Sequence, residues 1–166
     1  MEGPFEAQEG VVEVLAGYTG GARQYPTYEQ VLSEATGHRE AVRVFFDPDK
    51  ISYQEILDIY WLQIDPTDPG GQFADRGEQY QTAIYYHDDD QQVTAENSKI
   101  ELDDSDRFDE PIVTEVLPAQ PFYPAEDYHQ NYYLKQSDRY QRYHTLSGRK
   151  AFIDEIKNRL KVIDER

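Results

Sequence analysis

Cysteine is absent from all 166 residues of the sequence. Its absence excludes disulfides, thiolate metal sites and a cysteine nucleophile encoded within this sequence. Long hydrophobic runs are also absent: no stretch of about 18 apolar residues is present, so no membrane span is expected. The first ten residues, MEGPFEAQEG, have neither a basic start nor an apolar stretch, which is unlike a signal peptide. We therefore expect a cytoplasmic protein.

Basic residues are few, with 16 lysines and arginines against 33 acidic residues and a net charge of −17. A nucleic-acid-binding protein needs a basic face, and no part of this sequence supplies one. Two explanations of the acidity are open: an acidic patch for a basic partner, or adaptation to high salt, where ions screen the repulsion between carboxylates. Because the acidic residues are spread along the whole sequence, we favour a halophilic host.

Several familiar motifs of cofactor and nucleophile chemistry are missing. The sequence has no phosphate-binding loop, no GxGxxG and no GxSxG. Its four histidines have no ligand-like spacing, and the acidic runs lack the glycine punctuation of a calcium loop. No metal and no cofactor are therefore expected. The histidines are His38, His87, His129 and His144.

The length and the apolar share of 38% fit one domain that spans residues 1–166. The hydrophobic pattern predicts strands at 11–18, 40–46, 79–87 and 111–118, with helices between them and at both ends. In the first strand, Val12 and Val14 are expected on one face, and in the third strand Tyr80 and Ile84 are. Residues 65–79 are predicted to be a long polar loop, which is typical of a functional or disordered segment. The order indicates an α+β fold with helices packed on one sheet.

Glu40 is the first candidate site residue. In the strand 40–46, Val42, Val44 and Phe46 share one side, and the alternation places Glu40 on that apolar side. A carboxyl in a low-dielectric place has a raised pKa, and a protonated glutamic acid near neutral pH is a general acid. The other interpretation is that Glu40 lies at the strand edge and reaches only water or Arg39.

Two tyrosines are further candidates. Tyr28 and Tyr80 each stand where a predicted element begins, beside loops rich in glycine and proline. A tyrosine hydroxyl in a pocket donates a hydrogen bond to an anionic or strongly dipolar oxygen. The alternative is that both are ordinary half-buried tyrosines among the 14 of this sequence.

Five segments together resemble the A-type methionine sulfoxide reductases, the peptide-methionine (S)-S-oxide reductase family. The resemblance covers nearly the whole chain with its motifs in the family's order, and SGRKAF at 147–152 resembles one branch of the family. The five segments are GYTGG (17–21), PTYEQV (26–31), TGHREAVRVFFDP (36–48), DRGEQYQTAIYY (75–86) and PFYPAEDYHQNYY (121–133).

The resemblance implies a two-layer α/β sandwich with a ferredoxin-like core and thiol chemistry. It implies that a cysteine thiolate attacks the sulfoxide sulfur, that Glu40 protonates the sulfoxide oxygen, and that Tyr28 and Tyr80 hold this oxygen. Asp75 matches a residue that shapes the pocket and helps to bind substrate. The implied partners are methionine sulfoxide, in proteins or free, and a thioredoxin-like reductant, and the implied state of the full-length family is a monomer.

One departure from the family is severe. The family has Gly-Cys-Phe-Trp at the end of its first strand, and MEGPFE resembles the sequence that follows this motif. The resemblance then implies that three features are missing: the nucleophile, the aromatic wall for the S-methyl group and the first strand. Either the true start codon lies upstream, or the chain is a truncated relative. We expect that these 166 residues alone cannot reduce methionine sulfoxide, and that an open sheet edge promotes self-association.

Two functions of other classes remain as alternatives. One is a non-catalytic protein that recognises oxidised methionine with Glu40, Tyr28 and Tyr80 but does not reduce it. The other is an acidic partner-docking protein in which the pocket has no role. Binding to a sulfoxide peptide distinguishes the first alternative, and complexes that survive high salt distinguish the second.

Overall fold

The computed structural model describes residues 1–105 and 107–164, so Asp106, Glu165 and Arg166 of the predicted domain lie outside the described residues. Within the described residues, no helix is long and apolar enough to cross a membrane. The helices are α1 (Glu2–Glu6), α2 (Tyr28–Leu32), α3 (Tyr53–Trp61), α4 (Asp89–Asp103), α5 (Tyr132–Lys135), α6 (Ser137–Leu146) and α7 (Arg149–Asp164). The strands are β1 (Val11–Thr19), β2 (Arg39–Phe46), β3 (Gly71–Gln72), β4 (Asp75–Arg76), β5 (Ala83–Tyr86), β6 (Glu115–Pro118) and β7 (Tyr123–Pro124).

The strands form separate small sheets. In the larger one, β1 lies in the centre and pairs antiparallel with β2 on one side and with β7 on the other. β5 and β6 pair in parallel, and β3 and β4 form a short hairpin. The predicted α+β class and the predicted alternation of strands and helices are confirmed. The prediction of one sheet is wrong, because the described strands form three sheets. The β1–β2 register places Tyr18 opposite Glu40 at the end that approaches the site.

Helix α3 joins the two parts of the core. On one side Leu57 and Trp61 pack with Ile84 of β5, and on the other Ile56 packs with Phe5 and Val14. Burying one such side chain contributes about 1.5–3 kcal/mol, so this contact holds the β1–β2 sheet and the β5–β6 pair around one helix. Ser52 precedes α3 as its N-cap, and its side chain forms a capping box with Glu55.

The segment that follows β1 and the segment that precedes β2 are in close backbone contact. Gly21 lies against the turn that precedes β2, where a Cβ atom would be 2.3 Å from the carbonyl oxygen of Thr36. Its amide donates to Nδ1 of His38 at 3.1 Å, and His38 is buried. Position 21 in the GYTGG segment therefore requires glycine, because any larger residue would clash with the backbone before β2.

The prediction that Val12 and Val14 share a face is wrong. Val12 is 74% exposed, whereas Val14 is 5% exposed. The register between β1 and β2 shifts between Val11 and Glu13. Such an irregularity changes the side on which the following side chains point, and the alternation in the sequence does not reveal it.

Two predictions for the middle of the chain also need correction. Strand β5 is shorter than predicted, and Tyr80 lies before it in a single 3₁₀ turn, Glu78–Tyr80. The predicted loop 65–79 contains the β3–β4 hairpin and is therefore structured. The amide of Gly77 donates to the carbonyl of Gly70 at 3.0 Å, which closes this hairpin segment. Local hydrogen bonds of this kind leave little trace in the hydrophobic pattern.

Candidate active site

One cavity of about 460 Å³ lies between β2 and β5 and contacts all four predicted site residues. Two walls enclose it. The sheet wall consists of the cavity-lining residues 16–19 of β1, Tyr28 of α2 and residues 39–44 of β2. The loop wall consists of Asp75, Tyr80 and Arg149, together with Tyr143, which contacts Asp75.

Glu40 faces this cavity from the sheet wall. Solvent reaches its side chain through the open cavity, so Glu40 is exposed. The prediction that it is shielded from water is therefore wrong. The surrounding protein still disfavours its charged form: burial and then the negative charge of Asp75 raise the pKa of Glu40 to about 7. Arg39, the alternative partner, contacts the carboxylate of Glu115 instead. At neutral pH, Glu40 is a proton donor for much of the time.

The two tyrosines lie beside Glu40. Burial, followed by the charge of Glu40, raises the pKa of both Tyr28 and Tyr80 above the usual value of a phenol. Both hydroxyls are therefore protonated at neutral pH. The nearby Tyr80 hydroxyl acts in the opposite direction, to lower the pKa of Tyr28 and of Glu40, but burial outweighs it. Three donors from three separate elements thus line one part of the cavity.

Glu126 supports the sheet wall, and the sequence analysis did not identify it. Its Oε1 accepts from the backbone N–H of Tyr28 and its Oε2 from the hydroxyl of Tyr18, each at 2.8 Å. Burial alone would raise the pKa of Glu126, but these hydrogen bonds outweigh it and lower the pKa. Glu126 therefore ties the start of α2 to β1. The segment 121–133 was recognised only by resemblance, because a single acidic residue in a loop has no periodicity.

The loop wall depends on contacts from the C-terminal helices. The Tyr143 hydroxyl of α6 donates to the carboxylate of Asp75 on β4. At the start of α7, Nη1 of Arg149 donates to the carbonyl of Gln63 at 2.8 Å, and its guanidinium lies 4.6 Å from the centre of the Phe73 ring. No pattern in the sequence indicated Tyr143, and Arg149 was indicated only by the resemblance of SGRKAF to one branch of the family.

His129 is another cavity residue that the sequence analysis did not select. The centre of its ring lies 4.4 Å from the centre of the Tyr28 ring. Burial lowers the pKa of His129, so the imidazole is neutral near pH 7. Its Nε2 is buried and makes no hydrogen bond to the residues that the structure describes. A polar ligand in the cavity would therefore find a ring nitrogen without a protein partner.

The chemistry of the arrangement follows from these groups. A protonated carboxyl and two phenolic hydroxyls can bind a strongly dipolar oxygen and transfer a proton to it. The sequence contains no thiol that could attack an atom bound to that oxygen. The cavity residues can thus supply the proton of a reaction but not its thiol nucleophile.

Comparison with known sequences identifies relatives along nearly the whole chain. The family described as peptide methionine sulfoxide reductase matches residues 1–161. The peptide methionine sulfoxide reductases MsrA of Bacillus pumilus and Bacillus subtilis are each 56% identical, over 154 and 155 residues. These matches cover 93% of this chain and 86% and 88% of the two relatives.

Comparison with solved structures gives the same result for the fold. Methionine sulfoxide reductase A of Corynebacterium diphtheriae aligns with a TM-score of 0.71 and 32% identity, over 82% of this chain and 69% of that one. Mxr1 from Saccharomyces cerevisiae in its reduced form aligns with a TM-score of 0.73 and 28% identity, over 77% and 73%.

Proposed function

This chain belongs to the peptide methionine sulfoxide reductase family, oxidoreductases that reduce methionine sulfoxide, and from this premise we propose how its cavity takes part in that reaction. The sulfoxide oxygen binds between Glu40, Tyr28 and Tyr80, and Glu40 is the proton donor. The observation that supports this proposal most strongly is that these three side chains, from three separate elements, line one cavity in which the Glu40 pKa is raised to about 7.

The two tyrosines bind the oxygen before it reacts. The S–O bond of a sulfoxide is strongly polar, with the negative end on oxygen, so phenolic hydroxyls are suitable donors. Raised pKa values keep both hydroxyls protonated over the whole physiological range. Asp75 contacts the same cavity from the opposite wall, and we assign it to substrate binding.

Glu40 makes the oxygen able to leave. A thiolate sulfur gives an electron pair to the sulfoxide sulfur, the S–O bond breaks, and the oxygen is protonated as it transfers. The products are the thioether and a sulfenic acid, so one sulfoxide, one thiolate and one proton are consumed. The proton comes from Glu40. The thiolate lies outside these 166 residues, which contain no cysteine.

Membership of this family also supports proposals for the substrate, the reductant and the cellular compartment. We assign the chain to the S-epimer of methionine sulfoxide, in proteins and as the free amino acid, with protein repair after oxidation as its role. A thioredoxin-like protein is the proposed reductant of the oxidised thiol, and the cytoplasm the proposed compartment.

Binding calorimetry tests the assignment of the oxygen site. The ligands are the blocked S-sulfoxide of methionine, its R-epimer and the thioether, each measured about one pH unit below and one above 7. We expect the S-sulfoxide to bind more tightly at the lower pH, because a protonated Glu40 donates to the oxygen and an ionised one repels it. E40Q should remove this pH dependence, and E13Q, an exposed glutamate of β1, should retain it.

Two results would contradict the proposal. If the thioether binds as tightly as the sulfoxide at both pH values, the cavity does not recognise the oxygen, and the partner-docking alternative gains support. If the purified 166-residue chain reduces the sulfoxide with dithiothreitol above a buffer control, the assignment of the thiolate to a group outside these residues is wrong.

A further inference from the structure

Arg149 is a half-buried cation of the loop wall that has no carboxylate partner. It is the first residue of α7 and lines the same cavity as Glu40. The ion pairs among the described residues do not include Arg149. A partly desolvated charge is stabilised by an opposite charge beside it, so an anionic group of a ligand would be bound favourably here.

Two contacts hold the guanidinium in one place. Its Nη1 donates to the carbonyl of Gln63 at 2.8 Å, and its central carbon lies 4.6 Å from the centre of the Phe73 ring. Phe73 in turn packs against Phe152, one turn further along α7, with the ring centres 5.4 Å apart. A guanidinium has five N–H donors, and the bond to Gln63 is its one hydrogen bond to the described residues. The other donors are therefore available to a ligand.

The position of Arg149 places this charge beside a residue already assigned to substrate binding. Phe73, on which the guanidinium lies, is two residues before Asp75 in the β3–β4 hairpin segment. In the proposed function, the sulfoxide oxygen binds to Glu40 and the two tyrosines. A methionine side chain is long, so the two ends of the substrate can contact different parts of a cavity of about 460 Å³.

The other positive groups that line the cavity are less suited to an anionic ligand. Arg39 and Arg43 alternate with Glu40 along β2, so their side chains point to the other side of the strand, and Arg39 is paired with a carboxylate. Burial lowers the pKa of the Met1 α-amino group to about 6, so this group is mostly neutral at pH 7. The guanidinium of Arg149 stays charged because the arginine pKa begins so high.

Three carboxyl groups make a cation necessary for such a ligand. Glu2, Glu40 and Asp75 all line the cavity. Glu2 accepts from the backbone N–H of Asn131 at 3.0 Å, and Asp75 accepts from the hydroxyl of Tyr143. Ionised carboxylates repel an anionic ligand, and an adjacent cation offsets this repulsion.

We propose that Arg149 binds the α-carboxylate of methionine sulfoxide, and that this chain therefore prefers sulfoxides with a free carboxylate. The inference rests on the proposed function, which places the sulfoxide oxygen in the same cavity. The free amino acid has this carboxylate, and so does a methionine sulfoxide at the C-terminus of a peptide. A residue within a protein has a neutral carbonyl there, which binds a guanidinium more weakly.

Binding calorimetry with two matched ligands tests the proposal at one pH and one salt concentration. N-acetylmethionine S-sulfoxide has a free carboxylate, and its methylamide has none. We expect the unaltered chain to bind the carboxylate ligand about tenfold more tightly, because charged hydrogen bonds are the stronger ones. In R149Q this preference should disappear, mainly through weaker binding of the carboxylate ligand. R149K should keep part of it, since lysine retains the charge but not the planar fork.

K150Q is the matched control for R149Q. Lys150 is the next residue of α7, but its ammonium pairs with Asp154 and both side chains are exposed. Removing it changes the net charge equally, and the preference for the carboxylate ligand should remain. If R149Q fails to fold, the comparison of the two ligands on the unaltered chain still tests the proposal.

Free methionine S-sulfoxide distinguishes the two sources of the carboxylate. This ligand adds an α-ammonium to the N-acetyl compound. Tighter binding than the N-acetyl compound would identify the free amino acid as the preferred source, and weaker binding would identify a C-terminal residue.

The proposal is overturned if the unaltered chain binds the two matched ligands equally. It is also overturned if R149Q weakens both ligands by the same factor, because Arg149 would then only support the hairpin. Failure of the proposed function has a different sign, which is that the thioethers of both ligands bind as tightly as the sulfoxides.

Discussion

The sheet wall and the loop wall line the same cavity, but different forces hold them. In the sheet wall, Glu40 belongs to a strand whose backbone pairs with β1 over its whole length, from Arg39 to Phe46. In the loop wall, Asp75 belongs to a hairpin of two residues on each side and depends on the hydroxyl of Tyr143, 68 residues further along the chain. The proton donor thus lies on the stiffer wall.

This difference matches the tasks proposed for each wall. A proton donor must keep its position relative to the reacting oxygen, because small displacements weaken proton transfer strongly. A wall that contacts the remainder of a substrate must fit varied protein segments, and a wall held by side chains is more adaptable. The comparison therefore predicts that damage to the sheet wall lowers stability, whereas damage to the loop wall alters binding and charge.

The largest effect is expected when the anchor of the sheet wall is removed. E126A removes the acceptor of the Tyr28 N–H and of the Tyr18 hydroxyl, and Tyr18 is 2% exposed. Unpaired buried donors cost about 1–3 kcal/mol, so we expect urea unfolding to show a loss of about 2 kcal/mol. D127A, which removes the neighbouring exposed carboxylate, should change the stability by less than about 0.5 kcal/mol. Equal losses in the two variants would show that Glu126 is not an anchor.

A smaller effect, with a definite pH dependence, is expected for E40Q. Folding raises the Glu40 pKa from 4.5 to about 7, so the folded state holds this proton more tightly than the unfolded state does. The associated stability is fully present below about pH 4.5 and is lost as the pH rises through 7. Glutamine cannot ionise, so E40Q should be more stable than the unaltered chain at about pH 8, by an amount on the order of 1 kcal/mol after allowance for solvent screening.

The quantity to measure is the difference in the free energy of unfolding between E40Q and the unaltered chain at each pH. Burial lowers the pKa of the Met1 α-amino group to about 6 and the charge of Glu40 acts to raise it, so the two chains are compared at about pH 4 and pH 8, on either side of this value. E13Q, on the exposed face of the same sheet, should show no gain at either pH. A gain of E40Q that is equal at about pH 4 and pH 8 would mean that packing, and not ionisation, causes it.

The same contrast explains what the sequence could predict. The alternation of Val42, Val44 and Phe46 follows from backbone geometry alone, so it predicted β2 and the side to which Glu40 points. The predicted position of Tyr80 on a strand was wrong, because the 3₁₀ turn at 78–80 depends on the backbone contacts of the preceding hairpin. Sequence patterns therefore predict the elements whose structure depends on neighbouring residues, such as β2.

Contacts between distant parts of the chain left no such pattern. Tyr143 and Arg149 reach the cavity because α6 and α7 fold back on it, and nothing in the spacing of these residues indicates which part of the chain they meet. Glu126 likewise acts on residues 98 and 108 positions away. Asp75, which was identified by resemblance alone, is a residue that periodicity would not have selected.

The smallest effect on stability is expected in the loop wall. Y143F removes only the hydroxyl that donates to Asp75, and the ring, 39% exposed, stays in place. We expect a loss of stability below about 0.5 kcal/mol, because the contact is near the surface. The affinity for the blocked S-sulfoxide should fall about threefold, because Asp75 is no longer held in one orientation. Y25F, in which the altered tyrosine is 82% exposed, should change neither quantity. A stability loss in Y143F as large as that of E126A would show that the two walls are held equally, and the contrast between them would then have no energetic basis.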